Sequence, residues 1–199
     1  AFGAAVGGLA ALVVGTPARR ATPDGVVKAL ERHSFLVDQI EPQGGDARGS
    51  VPWIVHLSTG TTVFVKTYGD EERIADLLFR VWRGLRLRGS GDELPHSSLL
   101  HAVEHEAFAA TSASSAGARV PRVLALGALE NGGVFAVHEA VAGRTLDQIV
   151  EEDGADALTE SLLREAWSMV GTLHRAGIAH RDLRGANLLV DGEDQIWIV

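Results

Sequence analysis

The sequence predicts an α+β chain in which a five-stranded antiparallel sheet with helices is followed by a mainly helical part. Three observations carry that prediction. Residues 35–40 are apolar and alternating, and 53–58, 61–67, 120–126 and 134–139 are further short, largely apolar runs that read as strands, with turn residues between most of them. Helical spacing governs 98–114 and the run behind Thr159 instead. Past residue 180 a polar loop enters a short apolar strand, Leu188-Leu189-Val190.

The totals narrow the function class. With 199 residues, 46% of them hydrophobic, the chain can build a real core as one large domain or two small lobes. A net charge of −8 argues against general nucleic-acid binding, which needs a basic surface to displace counterions. The absence of cysteine rules out disulfides and thiolate metal sites.

Residues 1–14 carry no charged or strongly polar side chain, and Arg19 and Arg20 follow. Fourteen helical residues rise only about 21 Å against a hydrocarbon core of roughly 30 Å, so alone they cannot span it. The segment lacks a basic leader region, and residues 1–18 read as the tail of a longer transmembrane helix. Gly3 and Gly7 would allow close approach of a second membrane helix. On that reading the two arginines put the next domain on the cytoplasmic side of a membrane protein. The alternative is a buried Ala/Gly helix of a soluble domain.

A Pro23-Asp24 start signal opens a short helix over 24–33, and the strand 35–40 follows. The turn 44–50, with Gly45 and Gly49, leads to a hairpin of 53–58 and 61–67. Lys66 lies in its second strand, where an isolated lysine is ordinarily the solvent-facing member. Residues 70–88 form a basic amphipathic helix. Its apolar face carries Ile74, Leu77, Leu78, Val81, Trp82 and Leu85, with arginines largely opposite. It fits an anionic lipid surface, or simply a lobe with solvated arginines.

In the helix 98–114, Leu99, Leu100, Val103, Ala107 and Ala110 form the expected buried stripe. At 100° per residue, Glu106 lies about 70° and Glu104 about 90° from its centre. His101, Glu104 and His105 also spell H-x-x-E-H, a zinc-site string. Both histidines face away from the stripe and no third ligand is evident. Asn131-Gly132-Gly133 is the turn between the last two strands of the sheet.

Beyond residue 142 come a short helix over 146–152 and a long one capped by Thr159 and stopped by Gly177. In the long helix Leu162, Leu163, Ala166, Trp167, Val170, Leu173 and His174 recur at helical spacing. The loop that follows runs His180-Arg181-Asp182-Leu183-Arg184-Gly185-Ala186-Asn187. Its residue types suit phosphoryl transfer. Asp182 can orient a hydroxyl and accept its proton, Arg184 can balance charge on the transferring group, and Asn187 can hold a metal ion that bridges phosphate oxygens.

This loop resembles the H-R-D-L-x-x-x-N catalytic loop of the protein-kinase-like superfamily, with every fixed position matched. The resemblance implies a bilobal kinase-like fold, with an N-lobe over 24–141 that carries 70–88 as an insertion. A partial C-lobe would fill 142–199 and end before the metal-binding Asp-Phe-Gly. It implies ATP and Mg2+ as cofactors and a hydroxyl acceptor that could be protein, lipid or small molecule. Val63-Phe64-Val65-Lys66 then resembles the strand whose lysine reaches the ATP phosphates. Glu106 would fix that lysine, with Glu104 as runner-up, and Gly45 and Gly49 would cover phosphates through backbone N–H groups. Backbone groups of Glu139 and Val141 would bond adenine, with His138 flanking the back pocket, and a nucleotide would lie between the lobes. Arg184-Gly-Ala-Asn187 departs from the K-P-E-N form and the glycine turn is irregular. The chain therefore looks more like atypical or small-molecule kinases of the aminoglycoside-phosphotransferase and lipopolysaccharide-kinase type. It also looks similar to kinase-like modules of actinobacterial membrane proteins with a lysylphosphatidylglycerol-synthase or flippase-like region. Two functions follow: an active phosphotransferase, the sequence as given being inefficient without Asp-Phe-Gly, or an ATP-binding pseudokinase that regulates a membrane domain.

Overall fold

The computed structural model describes residues 21–44, 50–69 and 99–199. The readings on residues 1–18, on Gly45 and Gly49, and on 70–88 lie outside them. The described chain is mixed α+β, as expected, with four α-helices among the described residues. Its five-stranded antiparallel sheet runs in the order β1-β2-β3-β5-β4, and a second sheet runs β6-β7-β8. Contacts divide the chain into two compact units. Of the described residues, the first comprises 21–44, 50–61, 65–69, 99–103 and 126–136, and the second 62–64, 104–125 and 137–199. No helix among the described residues is long and apolar enough to cross a membrane.

The first unit opens with α1, Pro23–Arg32. Thr22 caps it by accepting from the Gly25 N–H at 3.2 Å, Pro23 pre-sets the first turn, and Val26, Ala29 and Leu30 are buried. Strand β1 then covers Val37–Pro42, two residues later than the sequence suggested. The helix exit explains the shift. Ser34 takes a φ of +66° and the Phe35 N–H donates back to the Leu30 carbonyl, so residues 34 and 35 finish the helix turn, and cross-strand bonding begins only at Leu36, whose carbonyl accepts from the Ser58 N–H at 2.9 Å. β1 pairs antiparallel with β2 (Val51–Leu57), with an irregularity between Val37 and Gln39. Strand β3 (Thr62–Tyr68) buries Val63, Val65 and Thr67 on one face. Thr67 would be an orphan hydroxyl there. It is satisfied by the Trp53 indole, which donates to it at 3.0 Å, while it donates to the Val51 carbonyl at 3.1 Å.

Strand β4 is Val123–Ala128 and β5 is Val134–Glu139. β4 also begins later than expected, because Pro121 has no N–H to give a ladder. β5 is buried almost throughout, and Phe135, fully enclosed, meets His33 edge-on with ring centres 5.3 Å apart. Gly127 leaves the room for that ring. A Cβ there would come within 2.5 Å of it.

Helix α2 spans Leu99–Ser115. Its stripe is rotated from the expected one, for Val103 and Ala113 are buried while Leu100 is 44% and Phe108 71% exposed. A helix this rich in alanine has little amphipathic contrast to fix its face from sequence, so packing decides. Val103 joins Val134 and Ala136 with Tyr68 and Leu126.

In the second unit, β6 (Gly143–Thr145) feeds α3 (Leu146–Asp153). Thr145 and Gln148 form a reciprocal capping box at that junction. Helix α4 is Glu160–Arg175 with Thr159 as its cap, and Gly177 at φ +73° ends the turn. Ala166 and Leu173 face a core shared with Leu146, Ile149, Leu188, Val190, Ile196 and Ile198, and Val170 is buried as well. Trp167, expected on that face, is 70% exposed and His174 is exposed as well. The buried arc of α4 is therefore narrower than its apolar arc. Strands β7 (Leu188–Asp191) and β8 (Ile196–Ile198) complete the small antiparallel sheet.

Candidate functional site

The loop from His180 to Asn187 is held by its own backbone and by its strand. Arg181 has a φ of +65°, a left-handed conformation that costs a non-glycine residue about 1–3 kcal/mol and gathers at functional sites. The Asp182 N–H donates to the His180 carbonyl at 2.9 Å, so the turn is closed immediately before the candidate base. Asn187 then spans the loop. Its Nδ2 donates to the Asp182 carbonyl at 2.7 Å, and its own N–H donates to the Arg184 carbonyl at 2.9 Å. The Val199 N–H donates to the Asn187 carbonyl at 3.0 Å, which ties the loop to the chain leaving β8.

This arrangement sorts the side chains by task. With Nδ2 donating to the loop, Oδ1 is the Asn187 atom that could hold a cation, and an amide oxygen suits a hard one such as Mg2+. The Asp182 carboxylate is half exposed. Arg184 Nε lies 3.6 Å from Asp182 Oδ2, close enough for charge attraction and too far for a hydrogen bond. Asp182 and Arg184 therefore stand as a carboxylate and a cation side by side.

Strand β7 carries a polar anchor that sequence reading missed. Asp191 Oδ1 accepts from the Glu193 and Gln195 N–H groups, both at 2.9 Å, and Oδ2 accepts from the Trp197 indole at 2.8 Å. The Trp197 and Gln195 hydrogen bonds hold its carboxyl below the usual aspartate range. The signal was the Asp191-Gly192-Glu193-Asp194 turn, where an aspartate side chain closes on backbone two residues on. Nearby, Arg119 donates to Glu165 Oε1 at 2.6 Å, and Glu165 also accepts the Ile196 N–H at 3.3 Å.

The segment leaving β5 is in the same unit. The Glu139 N–H donates to the Arg122 carbonyl at 2.9 Å and its carboxylate accepts from Arg122 Nε at 3.0 Å. Its carbonyl and the half-buried Val141 lie just ahead of β6. β6 pairs directly with β7, in the register Gly143↔Asp191 and Thr145↔Leu189.

The chain is similar to a kinase. It is 30% identical over 89 residues to a 3-deoxy-D-manno-octulosonic acid kinase of Vibrio parahaemolyticus serotype O3:K6, a match covering 43% of this chain and 36% of that relative. The chain thus spans just over a third of the length of the curated relative it matches. No family model matches it.

The remaining expected site residues fall on regular elements. Lys66 is half buried on β3, on the face opposite Val63, Val65 and Thr67. Glu106 and Glu104 are both exposed on α2, and His138 is buried near the end of β5. His101 and His105 are exposed on α2, and no cluster of three metal-ligating side chains occurs among the described residues.

Proposed function

We propose that this chain binds Mg-ATP and transfers its γ-phosphoryl group to a hydroxyl acceptor. The observation that carries the reading is the loop itself, in which Asn187 spans back to the Asp182 carbonyl while the partly exposed Asp182 carboxylate and Arg184 guanidinium stand side by side. The likeness to a sugar-acid kinase supports the same class, and makes a carbohydrate hydroxyl the first acceptor to try.

Asp182 would accept the acceptor's hydroxyl proton as its oxygen bonds to the γ-phosphorus, while the bond to the β-phosphate oxygen breaks and leaves ADP. Arg184 would move from Asp182 toward the transferring group as negative charge gathers on it. Asn187 Oδ1 would hold Mg2+, whose contribution is to neutralise phosphate charge. Lys66 would bind phosphate, with Glu106 as its partner, and Glu139 and Val141 would meet adenine through their backbones. Gly45 and Gly49 belong to the same proposal as a phosphate-covering turn. Attachment to a membrane with this domain on its cytoplasmic side rests on residues 1–20 alone.

The test is ATP consumption by the intact protein, wild type beside Asp182→Ala, with sugar acids offered as acceptors. Loss of a general base should lower the rate about 10²- to 10⁴-fold. Equal rates refute the assignment. Mg-ATP binding without turnover on any hydroxyl acceptor would favour the regulatory pseudokinase.

A further inference from the structure

Two glycines stand where the segment 143–147 crosses the catalytic loop and its strand. Gly143 sits in β6 opposite Asp191 of β7. A Cβ there would collide with the Val190 carbonyl oxygen and the Leu189 side chain, and would lie 2.9 Å from the Val190 carbonyl carbon. Gly185 opens the single helical turn that ends on Asn187. The side chain of Asp147, in the first turn of α3, fills the place of its missing Cβ, with Asp147 Cγ 2.9 Å away. Neither glycine has a positive φ, so the requirement is space and not backbone freedom.

The two contacts bracket the proposed chemistry. Residues 139–141 are the proposed adenine-facing backbone, and 143–147 follow within the same unit. Resting on the kinase reading, we propose that Gly143 and Gly185 are positioning residues: they let 143–147 lie directly on 185–191, and so fix the adenine-facing backbone relative to Asp182 and Asn187. A methyl group at either point would push the two stretches apart. The two points differ in what must yield. At Gly143 the obstacle is backbone in a strand ladder, whereas at Gly185 it is one carboxylate that can turn away.

The test compares Mg-ATP affinity, turnover of ATP and melting temperature in the intact protein. Small misplacements of reacting groups cost up to about 10²-fold, so folded Gly143→Ala should bind Mg-ATP about tenfold more weakly and turn over about 10- to 100-fold more slowly. Gly185→Ala should lower turnover about tenfold while leaving affinity within about twofold, the split expected when only the reacting geometry moves. Adding Asp147→Ala to Gly185→Ala removes the obstacle and should restore most of that turnover, a recovery that general destabilisation would not produce. Folded Gly143→Ala with wild-type affinity and turnover overturns the proposal, as does a Gly185→Ala loss that Asp147→Ala does not relieve. If Gly143→Ala does not fold, the Gly185 pair decides. Wild type that fails to bind Mg-ATP would instead bring down the kinase reading itself, and the positioning role with it.

Discussion

The loop from Asp182 to Asn187 and the buried side of the large sheet are stabilised in opposite ways. Around the loop the ordering groups are backbone N–H and carbonyl groups, one asparagine amide and two glycine contacts, while the side chains suited to chemistry stay at least partly exposed. In the first unit, Trp53, Val55, Val65 and Phe135 are enclosed and hold the sheet by apolar burial. Each such side chain contributes about 1.5–3 kcal/mol on transfer from water. The comparison teaches that catalysis and stability should be separable here by mutation.

The largest effect expected from that separation belongs to Asp182. Asp182→Ala removes a half-exposed carboxylate whose ion pair is long and open to solvent. Melting temperature should therefore hold while ATP turnover falls, since surface pairs contribute about 0–1 kcal/mol. A large fall in melting temperature would break the comparison by making the loop a stability element.

Phe135→Ala is the mirror case. It should lower unfolding free energy by about 3–5 kcal/mol in a denaturant titration, through lost burial and the cavity left in β5. Turnover per folded molecule should be retained.

A smaller effect, visible only through pH, marks where the two modes meet. Asp191 sits on the strand leaving the loop, and its carboxyl is held below the ordinary value of 3.8 chiefly by the Trp197 indole. A depressed carboxylate contributes stability above its unfolded pKa and loses that contribution as pH falls through the folded value. The stability gap between wild type and Asp191→Ala, measured by thermal melts, should be full at neutral pH and narrow below 3.8. A gap that stays constant to lower pH would mean the indole bond does not favour the charged form.

What could be read from sequence follows the same division. The loop stood out because its candidate groups are packed into eight consecutive residues, and Asn187 spans only five positions back to Asp182. The five strands were legible from short, turn-bounded apolar runs, with edges displaced by Ser34 and Pro121. β6 was not, for three residues reading Gly-Arg-Thr have no period, and the strand exists because β7 is beside it. Neither was the close packing at Gly185, because the residue that fills its space is Asp147, 38 positions earlier in a different element. The buried faces of α2 and α4 were misjudged for a related reason. Periodicity locates an apolar arc, and tertiary packing chooses which part of it is covered.

Trp167 gives the smallest effect and the sharpest form of the comparison. It is a large aromatic on an apolar arc, as a core residue would be, yet it is 70% exposed, while Phe135 is fully enclosed. If burial and not residue type sets the contribution, Trp167→Ala should change unfolding free energy by no more than about 0.5 kcal/mol, the range of ordinary surface substitutions. Alanine is also the better helix former, which pushes the same substitution slightly toward stability. A loss of several kcal/mol in the intact protein, approaching that of Phe135→Ala, would show that the Leu163–Trp167 side of α4 is covered there. The apolar arc read from the sequence would then be right for the intact protein after all.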